Sequence, residues 1–114
     1  MIDTAAYFDS VVSKDAGRIR AFFHENAVIR WHNTHERFTA DAFVHVNCAY
    51  PGEWNGEIER VETSGDIIIL AARVFSKDNT RSFHVVSFIR TEDDQIKELD
   101  EYWGDDGDPP EWRR

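Results

Sequence analysis

Apolar residues recur along this chain with two periods, and the change from one to the other divides it into helical and extended parts. Between Ile2 and Ser13, Ala5, Phe8 and Val12 fall on one helical stripe, with Tyr7 and Val11 beside it. Asp3 precedes the stripe as a plausible N-cap. A second short helix is predicted from Asp15, with Ile19, Phe22 and Phe23 as its apolar face and a stop near Asn26. From Ala27 the period becomes two: Ala27, Ile29 and Trp31 alternate with Val28, Arg30 and His32, the signature of a strand. Asn33 to Glu36 reads as a turn and Arg37-Phe38 as a short return strand. Thr39 caps a third helix carrying Phe43, Val44, Val46 and Ala49, which Pro51-Gly52 ends.

Beyond that point the pattern is all strand. Trp54 to Thr63, Ile67 to Phe75, Arg81 to Arg90 and Ile96 to Trp103 are separated by the turns Ser64-Gly65-Asp66, Lys77-Asp78-Asn79 and Glu92-Asp93-Asp94. Helices gathered ahead of a long antiparallel meander predict an α+β fold, with one domain over residues 1–104 and an irregular tail over 105–114. The strand Ile67 to Phe75 is nearly all apolar and needs cover on both faces. Helices cover only one face of the sheet, so a second copy of the chain in an isologous two-fold contact is expected on the other.

Composition narrows the function classes. A length of 114 residues suits one domain, and 41% hydrophobic with 13% aromatic residues excludes a disordered chain. The net charge of −9 disfavours nucleic acid and anionic membranes as partners. The longest apolar run, Ile67 to Ala72, is too short to span a bilayer, and no basic-then-apolar leader opens the chain, so a cytoplasmic protein is expected. The single cysteine, Cys48, allows no intrachain disulfide and reads as a buried thiol.

The phrase Phe23-His24-Glu25-Asn26-Ala27-Val28-Ile29-Arg30-Trp31, the element order, and the closing step Tyr102-Trp103-Gly104 together resemble the nuclear transport factor 2-like superfamily, which includes SnoaL-like polyketide cyclases and ketosteroid isomerases. The resemblance spans nearly the whole chain to about residue 104. It implies a cone-shaped curved antiparallel sheet wrapped around N-terminal helices, a pocket between the inner sheet face and the helices, and a homodimer through the outer face. The resemblance puts the isomerase base at or next to Trp31 and its oxyanion-hole carboxylate near Val86, and neither carboxylate is present there, so ketosteroid isomerase activity itself is not expected.

With Trp31 facing the pocket, alternation puts Ala27 and Ile29 there as well. The register expected for the next strands gives His84, Val86 and Phe88, then Lys97, Leu99, Glu101 and Trp103. His84 and Glu101 on neighbouring strands are the candidate catalytic dyad for acid–base chemistry, or else a satisfied structural pair. Trp31, Tyr50, Trp54, Val86, Phe88, Leu99 and Trp103 are the candidate pocket walls for a small apolar or aromatic ligand. His32 and His35 straddle a turn without a companion pair and make no metal site, and no cofactor-binding loop is present. In the tail, Trp112 between Pro and Arg is placed to fold over the pocket mouth, to meet a partner, or to stay disordered. The functions this leaves are a cofactor-independent isomerase, cyclase or dehydratase, and a non-catalytic dimeric ligand-binding or interaction module.

Overall fold

A computed structural model describes every residue from Met1 to Arg114. Helix α1 (Thr4–Val12) and α2 (Ala16–Ala21) open the chain, and α3 (Ala40–Ala49) interrupts the strands. The strands are β1 (Phe23–Trp31), β2 (Glu36–Thr39), β3 (Trp54–Ser64), β4 (Ile67–Ser76), β5 (Ser82–Glu92) and β6 (Gln95–Asp105). Each helix starts where a side-chain oxygen satisfies an orphan amide. Asp3 accepts from Ala6 N, Asp15 from Arg18 N and Thr39 from Ala42 N.

The six strands form one open sheet in the order β2-β1-β6-β5-β4-β3. It is mixed, not wholly antiparallel as the meander suggested. β1 enters the sheet beside β6 in parallel, with Ile29 opposite Leu99 and Trp31 opposite Glu101. The second predicted helix is also shorter than its apolar stripe, because Phe23 is already strand. Phe22 O accepts from Ile96 N at 2.8 Å, so β6 captures the chain just after α2. A bulge between Phe23 and Val28 then restores the inward facing of Ala27, Ile29 and Trp31.

The core lies on the concave side, where Tyr7 and Phe8 of α1, Ile19 of α2 and Phe43 of α3 meet Ile29, Leu70, Ile89 and Leu99. Tyr7, Phe22, Phe23 and Phe43 make edge contacts in series, with centroids 5.5 to 6.0 Å apart. α1 lies close over β3 because Gly56 has no side chain: a Cβ there would stand 2.6 Å from the Phe8 ring and 2.8 Å from Val12. Cys48 is half-buried, its Sγ directed at Lys14 O. The tail ends in a single 3₁₀ turn, Glu111–Arg113, and Trp112 is 83% exposed, in contact with Arg113 and not over the cavity. No helix is long and apolar enough to cross a membrane.

Candidate functional site

Between α1, α3 and the wide end of the sheet lies a cavity of about 250 Å³. Trp31 closes it from β1, Tyr50 from the end of α3, Trp54 from β3, Val74 from β4, Phe83 from β5 and Trp103 from β6. Four of the expected wall residues, Trp31, Tyr50, Trp54 and Trp103, are therefore brought together. Lys14, Asn33, Thr34, Asn47 and Asp105 supply the polar part of the lining. Broader grooves of about 500 and 490 Å³ run past the outside of Trp54 and are lined mostly by polar residues.

The strand carrying the expected dyad residue is turned over. On β5 the inward set is Phe83, Val85, Ser87 and Ile89, while His84, Val86 and Phe88 face outward. His84 and Glu101 consequently form no pair. His84 instead bonds Asp106 through Nδ1 and Glu59 through Nε2 on the convex face, and both carboxylates raise its pKa. Val86 and Phe88 leave the pocket for that same face. Leu99 keeps the expected facing but is fully buried in the core below the cavity, not part of its wall.

The physical reason is at Ser87. Alternation assigns the polar member of a strand to solvent, yet Ser87 is buried because Glu101 accepts its hydroxyl at 2.5 Å. Glu101 faces inward as expected and is 6% exposed. Its other oxygen accepts the Trp31 indole N–H at 3.0 Å. Burial pushes this carboxyl above its usual range, and the Ser87 hydroxyl with the Trp31 and Trp103 indoles partly offsets that by stabilising the anion. The buried Trp103 Nε1 has no hydrogen-bond partner of its own, so it approaches Glu101 without closing a full bond.

Tyr7 is a neighbour that its place on a helical stripe had marked only as core. Burial raises its phenol pKa first, and the nearby Glu101 charge raises it further. Glu101 is not itself part of the cavity lining; it reaches the cavity through Trp31, whose indole it holds, with Ser87, Trp103 and Tyr7 around it. Burial favours its protonated form, the condition for a carboxyl to act as a proton donor. The histidines do not converge on a metal: no group of three His, Cys, Asp or Glu side chains is arranged to hold one. His32 binds Asp100 at 2.7 Å and stacks on Tyr102 with centroids 4.4 Å apart.

An open mixed sheet coned around helices, with an aromatic cavity at its wide end, defines the architectural class. The SnoaL-like domain family matches residues 4–99, and the chain belongs to that family. A candidate ketosteroid isomerase from Kribbella flavida shares the fold at a TM-score of 0.81 and 21% identity, over 93% of this chain and 78% of that one. An NTF-2 like protein of unknown function from Burkholderia xenovorans matches at 0.80 and 18% identity, over 96% and 85%. A protein with a ketosteroid isomerase-like fold from Catenulispora acidiphila, solved in complex with trimethylamine, matches at 0.73 and 13% identity, over 86% and 82%. No curated protein matches the sequence.

Proposed function

We propose that this SnoaL-like domain binds a small apolar or aromatic molecule in the Trp-walled cavity and that Glu101 exchanges a proton with it, without a cofactor. The observation that carries this reading is the buried Glu101 carboxyl, raised in pKa and accepting the indole N–H of Trp31, whose ring closes the aromatic cavity. A general acid–base of this kind suits isomerisation, cyclisation or dehydration, where one group moves a proton between adjacent atoms of the ligand. Each oxygen of Glu101 accepts one hydrogen bond and retains a second lone pair.

A second reading is favoured by the same contacts. Glu101 holds Trp31 and Ser87 in place, so it can serve as a satisfied structural carboxylate in a domain that only carries its ligand. Both readings require the cavity to be occupied. Titration with 2-naphthol should raise the melting temperature: at a hundredfold excess over Kd, mass action gives about 2.7 kcal/mol, or on the order of 10 °C for a domain of this size. Val74→Trp, which fills the cavity from β4, should abolish the shift. No shift in the unmodified chain, or an equal shift in the filled variant, would remove both readings.

The convex face supports a homodimer. Register aligns Tyr102, Val86 and Ala71 in one row and Asp100, Phe88 and Ile69 in the next. Phe88 is 37% and Tyr102 47% exposed, centroids 6.0 Å apart, next to the half-buried Ile67 and Ile69. Ion pairs of Arg30 and Arg90 with Glu98 and Asp100 flank this patch, which is the apolar-centre, polar-rim arrangement of an interface.

A further inference from the structure

Arg81 stands out among the basic residues of an acidic chain with 22 carboxylates against 13 cations. Arg18, Arg30 and Arg90 each pair with two carboxylates. Arg81 pairs with none: its guanidinium donates to the Tyr50 hydroxyl at 2.7 Å and lies over three aromatic rings. Those rings are Tyr50, Trp54 and Phe83, at 5.4, 5.4 and 5.3 Å from its Cζ to their centroids. All three rings line the cavity, and Arg81 itself lies in the adjoining groove on the outer side of Trp54. Sequence position explains the placement, since Arg81 immediately precedes β5 and lies two residues before Phe83 on the same side of the chain.

Lys14 adds a second charge at the same edge. It lines the cavity, and its ammonium donates only to the neutral carbonyls of Tyr50 and Gly52, the latter at 2.7 Å. Two cations without carboxylate partners therefore flank the Tyr50–Trp54 edge of the mouth. The one carboxylate in the lining, Asp105, is exposed and pairs with neither of them. A guanidinium held by stacking keeps most of its five N–H donors free in a fixed plane, the geometry that suits a bidentate carboxylate. A cationic ligand meets the opposite condition, because the aromatic faces at this edge are already occupied by a positive charge.

We propose that Arg81 is the specificity-determining residue of the cavity and that the ligand is a small carboxylic acid, its acid group on Arg81 with Lys14 adjacent and its apolar body between the tryptophans. The inference rests on the ligand-binding reading above and adds the charge and orientation of the ligand. An acid head at the mouth leaves the opposite end of the molecule toward Trp31, the indole that Glu101 holds.

Three probes of one size separate the possibilities: phenylacetate, phenylacetamide and 2-phenylethylamine, each titrated by calorimetry at low salt. Phenylacetate should bind at least about tenfold more tightly than the amide, as expected for a charge-assisted contact. Arg81→Met preserves the packing length over the three rings. It should remove that preference by weakening phenylacetate far more than phenylacetamide, and Arg81→Lys should restore part of it. Circular dichroism of each variant checks that the fold is intact. Equal binding of acid and amide, tighter binding of the amine, or full acid preference in Arg81→Met would each overturn the assignment while leaving the cavity a ligand site. Failure of all three probes to bind, with no 2-naphthol shift either, would instead remove the ligand-binding reading on which it rests.

Discussion

At the scale of single residues, the proposed chemistry rests on Glu101. Its pKa is raised in the folded state, chiefly by burial. The sign follows from linkage: the folded chain holds this proton more tightly than the unfolded chain. Its contribution to stability is therefore full below the unfolded carboxylate pKa and is lost as pH rises through the folded value. Glu101→Gln keeps the shape and abolishes the titration. The difference in unfolding free energy between the two chains, followed from pH 4 to pH 8, should move steadily in favour of the variant as pH rises. A flat difference curve would show that Glu101 is not desolvated in solution. His84 has a raised pKa too, but it is half-exposed on the convex face and titrates identically in both chains, so the difference isolates Glu101. The face of Glu101 and Trp31 followed from alternation only once the family resemblance had set which face is inward. The face of His84 did not, because Val85-Val86 and Phe88-Ile89 are apolar doublets that fit either register. The polar residue that would have settled it, Ser87, is buried against a partner fourteen positions away.

At the scale of elements, the caps and turns were readable because their causes are local. Asp3, Asp15 and Thr39 each cap the helix that their position predicts. What escaped was set by tertiary contact. The start of β1 at Phe23 depends on Ile96 of β6, and the parallel β1·β6 pairing leaves no periodic trace in either strand. Gly56 is a second case: mid-strand glycine costs β-propensity, and its purpose is visible only once Phe8 and Val12 of α1 lie on it. Gly56→Ala should force both side chains aside and destabilise the domain by about 1–3 kcal/mol, the usual range for overpacking. Thermal denaturation would register this as a drop of roughly 5–10 °C. An unchanged melting temperature would mean that α1 moves freely over β3.

At the scale of the whole molecule, the helices cover the concave face of the sheet and leave a convex face with an apolar centre. The nearly continuous apolar run in β4 pointed to this before the sheet was known: Ile68, Leu70 and Ala72 enter the core, while Ile67, Ile69 and Ala71 remain half-covered outside. The proposed homodimer would use that face. Sedimentation at micromolar concentration should give twice the 13.3 kDa chain mass, and Phe88→Glu should give monomer with an unchanged circular dichroism spectrum. A monomeric unmodified chain would show that the patch is tolerated in water.

The cavity and Glu101 together form the central claim, and one reaction tests both. 5-Nitrobenzisoxazole is a planar aromatic small enough to enter the cavity. A base that removes its C3 proton drives cleavage of the ring N–O bond, releasing a coloured nitrophenolate. The unmodified chain should open it with saturation kinetics and a rate that rises with deprotonation of Glu101, and Glu101→Gln should lose about a hundredfold or more, the usual contribution of a positioned general base. Equal rates for the two chains would contradict the account and leave the domain a holder of its ligand.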